Sequence, residues 1–202
     1  MNKQYYISNF TSIKKGAVYN AKNKIFESEL ELNEIDLFLK EAYNFLALSY
    51  PKFFKMDRLS KLGILASEVL LKNESLESDT AIILSNSTSS LNTDKTHQES
   101  INQIVSPSIF VYTLPNIVLG EISIKYQLQS ENAFFISDTF DAELIADYTN
   151  DLLAFEKAKN AVCGWIDLKN AEYDVFLCLI SEEGDVPFTQ KNLEQLYYFE
   201  NE

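Results

Sequence analysis

The side chains able to do covalent or proton-transfer chemistry are few in this chain, and they are poorly placed for one another. Two cysteines, Cys163 and Cys178, sit inside the apolar runs AVCGWIDL and YDVFLCLIS. Runs of this kind make buried strands, and a buried thiol behaves as a small hydrophobe whose thiolate is scarce. Fifteen positions apart and with no histidine near, the pair lacks metal-ligand spacing. The single histidine, His97, falls in SNSTSSLNTDKTHQES, a stretch read as a solvent-exposed loop for want of apolar area. Neither a metal site nor a catalytic pair can be built from it. The remaining cluster is acidic: SDTFDAE puts Asp138, Asp141 and Glu143 at the start of a helix. Carboxylates there cap free N–H groups and oppose the helix dipole, so the cluster reads as a cap and not as an acid pair.

Elements that would position these residues follow from the hydrophobic pattern. KQYYISNFTSI alternates well enough for a strand, and a polar Lys- and Asn-rich connection follows. Leu32 to Leu48 reads as a helix with Ile35, Phe38, Leu39, Ala42, Phe45 and Leu46 at three- and four-residue steps and Asn33 as its cap. A second helix spans roughly Met56 to Lys72, and a strand Thr80 to Leu84. Past the polar loop, Pro107 opens an apolar helix; then come the strand Ala133 to Ile136 and a helix from about Phe140 to Ala158. Along that last helix Leu144, Ile145, Tyr148, Leu152 and Phe155 form the stripe, while Glu143, Asp147, Asn150, Asp151 and Lys157 face elsewhere. Two short strands, Ala161 to Asp167 and Val175 to Ser181, and a closing segment with Phe188, Tyr197, Tyr198 and Phe199 complete the chain. Helices alternating with strands predict an α/β layered sheet.

With 202 residues, 46% of them hydrophobic, the chain can bury a substantial core and reads as one domain over 1–202. A net charge of −13 with Arg58 as the only arginine argues against nucleic acid and anionic membrane surfaces. No apolar run reaches the roughly 18 residues of a membrane span, and MNKQYYISNF lacks the order of a secretion signal, so the expectation is a soluble cytoplasmic protein. One basic patch stands out: Lys52, Lys55, Arg58 and Lys61. On the residues alone it is a solvated helix face.

PKFFKMDRLSKL, VYTLPN and ENAFFIS occur in an order and spacing that resembles the N-terminal half of a β-ketoacyl-acyl-carrier-protein synthase, of the thiolase-like superfamily. The resemblance runs from about Tyr50 to Leu168. It implies a thiolase-like half-domain, a mixed five-stranded sheet with helices on both faces. In that family a Pro-Asn-containing helix, here Leu114-Pro115-Asn116, leads to a strand that delivers a nucleophilic cysteine to the start of a buried helix. By this register the nucleophile position is Thr139, or Asp138 if it slips by one. The paired glycines of the family become Gly164-Trp165, which suggests filled space. The two hydrogen-bond donors, mostly histidines, come from a second half, and the chain ends before one begins.

What the resemblance implies is a synthase-like accessory protein without a catalytic residue or cofactor, acting in a fatty acid, polyketide or aryl-polyene or flexirubin-type pigment pathway. Ala133, Phe134, Phe135 and Ile136 match the family's dimer-forming edge strand, so a homodimer or a heterodimer with a true synthase is expected. Acyl carrier proteins are acidic, which makes Lys52, Lys55, Arg58 and Lys61 the docking candidates. Two alternatives stand beside this reading. One is acyl transfer through Thr139 or a partner's residues, although an aspartate at Asp138 or Asp141 is a poor base unless burial raises its pKa. The other is a stand-alone acyl-chain-binding module, which requires a deep apolar pocket.

Overall fold

The computed structural model describes residues 3–30, 34–101 and 106–199. Within them the elements run β1 (Tyr6–Lys14), β2 (Ala17–Asn20), β3 (Asn23–Glu27), α1 (Ile35–Phe45), a 3-10 turn (Pro51–Lys55), α2 (Arg58–Leu71), β4 (Thr80–Asn86), α3 (Leu91–Ile101), α4 (Pro107–Val111) and α5 (Ile117–Tyr126). The chain continues through β5 (Asn132–Ile136), α6 (Ala142–Ala154), β6 (Asn160–Lys169), β7 (Glu172–Ser181), β8 (Val186–Pro187) and α7 (Gln190–Tyr197).

All eight strands join one mixed sheet in the order β3-β2-β1-β7-β6-β4-β5, with β8 beside β1. The five expected strands form its contiguous middle and one edge, β1-β7-β6-β4-β5. Three more extend it beyond the five that the resemblance implied. Two of them, β2 and β3, arise because the polar connection after β1 is a hairpin: Lys15 and Gly16 take left-handed φ values, and Ala17 and Val18 then bury; the third, β8, adds two residues beside the start of β1. Strand β4 lies between β5 and β6, parallel to both, and is buried along its full length, as a central parallel strand must be. Strands β6 and β7, ten residues each, pair antiparallel from Ala161 with Ile180 to Lys169 with Glu172.

Helices cover both faces. On one, α1, α2 and α5 pack on Ile13, Ile82, Leu84, Val162, Ile166 and Val175. Gly63 lets α2 and α5 approach closely, since a Cβ there would collide with Val118. On the other face, α6 and α7 pack on Ala81, Ile83, Cys163, Trp165, Phe176 and Cys178. No helix of the described residues is long and apolar enough to cross a membrane.

Three local expectations change. The Ser- and Thr-rich stretch is not a loop: β4 runs to Asn86, and after a turn in which the Asn86 side chain bonds the Ser89 backbone, α3 begins at Leu91. Because α3 buries none of its residues, it has no apolar stripe to announce it. His97 thus lies on a helix, half-buried, its ring 5.3 Å from that of Phe110. The apolar helix after Pro107 is broken at Leu114-Pro115-Asn116 into α4 and α5. Helices α1 and α6 stop at Phe45 and Ala154, short of Leu48 and Ala158, where Ala47 and Glu156 turn left-handed. The expected cap Asn33 lies outside the described residues.

Candidate functional site

Strand β5 hands the chain to the amino end of α6 through residues 137–141. The Ser137 amide donates to the Asn86 carbonyl at 3.0 Å, and the Ser137 hydroxyl donates to the Thr139 carbonyl at 3.0 Å. Asp138 and Thr139 are both exposed. The Asp141 carboxylate accepts the Leu144 amide at 2.9 Å, so it is the N-cap of α6. With that oxygen committed, Asp141 acts on the helix.

Phe140, by contrast, turns inward. Its ring meets Trp165 at 6.2 Å, Phe176 at 5.9 Å and Tyr197 at 4.5 Å between centroids. These four side chains fill the space beside the helix mouth with aromatic carbon. Trp165 has this place because Gly164 before it adopts φ 151°, where a side chain would collide with the Phe176 carbonyl oxygen. The two cysteines lie elsewhere, as register partners on β6 and β7 in the core beneath α6. Burial raises the Cys163 thiol to about 12 and raises Cys178 as well, which keeps both protonated.

The edges of the sheet differ in kind. Strand β3, at one end, carries Lys24 and Glu27, paired at 2.8 Å. Strand β5, at the other, reads Asn-Ala-Phe-Phe-Ile and has no charge. Charged edges deter strand addition; an apolar, uncharged edge invites it. Since Ser137 donates inward to β4, alternation along β5 turns the amides of Phe134 and Ile136 outward.

Helix α6 enlarges that surface. The stripe expected to face the sheet is displaced: Ala142, Ile145, Ala146, Thr149 and Leu153 are buried, and Tyr148 and Phe155 are 36% and 72% exposed. Small residues on the inner side let the helix sit low over Cys163, and the large aromatics are left outside. Phe135 of β5 packs on this face against Tyr148, and Ile136, whose side chain alternation turns to the other face of the sheet, is 53% exposed.

The four basic candidates separate into two kinds. The Lys52 ammonium lies 2.6 Å from Oε2 of Glu121, a side chain only 6% exposed, whose Oε1 accepts the Tyr112 hydroxyl at 3.0 Å. Arg58 forks onto Asp36 at 3.1 and 2.7 Å, and that hydrogen bonding holds the Asp36 carboxyl below its ordinary value. Lys55 and Lys61 enter no ion pair among the described residues; Lys61 instead lies 6.0 Å from the Phe53 ring centroid. Both line a recess of about 300 Å³ with Arg58, Thr93, Thr96 and Ser108. Beside it Asp57 caps α2, its carboxyl raised by burial. Glu121 and Tyr112 gave no signal in the sequence, because a lone glutamate in an apolar helix reads the same whether it is buried or exposed.

Among the described residues no group of three His, Cys, Asp or Glu side chains is placed to hold a metal.

No family model and no curated protein matches the chain. Solved structures do. The ishigamide ketosynthase/chain length factor aligns with TM-score 0.62 and 13% identity over 88% of this chain and 62% of its own. A chain of the ketosynthase ApeO in complex with its chain length factor ApeC, from Xenorhabdus doucetiae, aligns with TM-score 0.61 and 13% identity over 96% of this chain and 90% of its own. A type II polyketide synthase assembly, AntDE:AntF, titled as an acyl-carrier protein in complex with its hexaketide-bound ketosynthase, aligns with TM-score 0.62 and 12% identity over 96% and 65%. This chain therefore spans less than two thirds of two of these three relatives and most of the third. At such identities the likeness is one of fold: a thiolase-like, ketosynthase-related α/β fold.

Proposed function

We propose, from the ketosynthase-related fold as premise, that this chain is a non-catalytic accessory subunit that pairs through β5 with a complete ketosynthase. It would thereby take part in carrier-protein-dependent assembly of a fatty acid, polyketide or polyene-type pigment. The carrying observation is the sheet edge: an uncharged β5 with outward amides and an exposed Ile136, flanked by Tyr148 of α6. Ketosynthases stand with chain length factors in two of the similar structures, one of which contains a chain close to this one in length. The helix mouth supports a role without chemistry. By the register of the resemblance the nucleophile position falls on Thr139 or Asp138, neither of them a cysteine, and the carboxylates Asp138, Asp141 and Glu143 would repel an enolate or a malonyl carboxylate.

Carrier-protein docking belongs to the same proposal, with Lys55 and Lys61, which enter no ion pair among the described residues, as the cations offered to an acidic partner. The test is co-expression with a complete ketosynthase from the same organism, followed by size exclusion with light scattering. A one-to-one heterodimer is expected. Separate elution of the two proteins at micromolar concentration overturns the pairing, and a stable homodimer of this chain reassigns β5 to self-association.

A further inference from the structure

A second opening lies at the end of the sheet where two hairpin turns meet, the one between β1 and β2 and the one between β6 and β7. It is a groove of about 680 Å³, in the size range of small-molecule sites. Lys14, Lys15 and Lys169 bring three ammonium groups to it, and Tyr19, Tyr197 and Tyr198 bring aromatic walls. We propose that this groove binds a planar organic anion, an aromatic or conjugated carboxylate.

The charges carry the argument. None of the three lysines enters an ion pair among the described residues, although the chain as a whole is strongly acidic. The carboxylates at the groove are mostly engaged. Asp167 accepts the Ser87 amide at 3.0 Å, the Ser87 hydroxyl at 2.8 Å and the Thr88 hydroxyl at 3.3 Å. Asp174 accepts the Tyr197 hydroxyl at 2.6 Å, and Glu172 stands exposed at the rim. The three ammonium groups thus keep their donors for an incoming anion, with Glu172 at the rim as the carboxylate that competes for them. Burial raises the Asp174 carboxyl, while the Tyr197 hydrogen bond and the Lys14 and Lys15 charges pull it back.

The walls select shape. Tyr197 is held by its bond to Asp174 and by edge contacts with Phe176 at 5.7 Å and Tyr198 at 4.8 Å, so its ring is a fixed surface. Tyr198, 62% exposed, adds a second aromatic surface beside it. Fixed aromatic faces reward planar, polarisable bodies over saturated ones of the same charge. The groove is assembled from residues 14 to 198 of the chain, which is why no local motif marks it.

Calorimetric titration of the whole protein at low salt with three probes tests the inference: 2-naphthoate, cyclohexanecarboxylate and inorganic phosphate. Naphthoate is expected to bind saturably at one site, about tenfold more tightly than cyclohexanecarboxylate, a ratio that corresponds to about one aromatic contact. Phosphate should bind more weakly than either. Lys169→Met and Tyr198→Ala, both at exposed positions, should each weaken naphthoate several-fold and leave the melting curve unchanged; Lys55→Met, at the other recess, should bind like the parent. Absence of saturable binding, equal affinity for the two carboxylates, or variants that bind as the parent does would each overturn it. Failure here leaves the β5 pairing standing, since the two surfaces share no residue.

Discussion

Phe135 of β5 and Tyr148 of α6 meet edge to face, 5.1 Å between ring centroids, at the open side of the sheet. The contact joins the unpaired strand and the helix into one apolar surface. Tyr148 is 36% exposed and Ile136, on the other face of the strand, 53%, so this edge is left uncovered. A strand edge with outward amides beside exposed aromatic carbon invites a second strand to cover it.

Ile136→Lys should therefore abolish pairing through β5. A lysine on an edge strand keeps the β4 ladder and places a charge where a second strand would add. The complex is expected to elute as separate proteins, this chain as a 23.1 kDa monomer, with its own stability changed by no more than about 0.5 kcal/mol. Light scattering and urea unfolding read the two quantities separately. A variant complex as tight as the parent's would place the interface elsewhere.

The basic patch should divide by role. Lys52→Ala removes the counter-charge of Glu121, whose side chain is 6% exposed, and should cost about 1–3 kcal/mol, toward the lower end because Lys52 itself is 42% exposed. Lys55→Ala and Lys61→Ala should leave unfolding within about 0.5 kcal/mol and weaken binding of an acidic carrier protein, the more so at low ionic strength. Carrier binding indifferent to both substitutions would remove this surface from the docking proposal.

Asp174 sets a pH dependence. Burial raises its carboxyl above the ordinary value, while the Tyr197 hydrogen bond and Lys14 pull it back. Between the ordinary carboxylate value, about 3.9, and the raised one, the folded chain holds more protons than the unfolded chain. Stability from this group therefore falls as pH rises through that window and is level above it. Tyr197→Phe removes a lowering influence, which widens the window. Its cost should be about 1–3 kcal/mol at pH 7 and clearly smaller at pH 3, where Asp174 is protonated in both states. Urea unfolding at the two pH values measures it; an equal cost at both would mean that the Tyr197 bond does not depend on charge at Asp174.

Much of this molecule is local and was legible in its residues. Strand β4 and the pair β6 and β7 announce themselves as apolar runs; α1 and α2 announce themselves by their stripes, and SDTFDAE by the rule that carboxylates sit at helix starts. The sequence also determined that the cysteines are inert, because their neighbours bury them. Tertiary structure decided the rest, for one physical reason: solvent exposure is a property of surfaces that distant segments share. Helix α3 buries nothing and so has no stripe to read. Tyr148 and Phe155 belong to the apolar stripe of α6, yet the small residues Ala142, Ala146 and Thr149 take the contact with the sheet. Lys52 and Arg58 lose their freedom to Glu121 and Asp36, carboxylates on other elements. Composition tells which charges a chain carries, and only the packed sheet tells which of them are left to meet a partner.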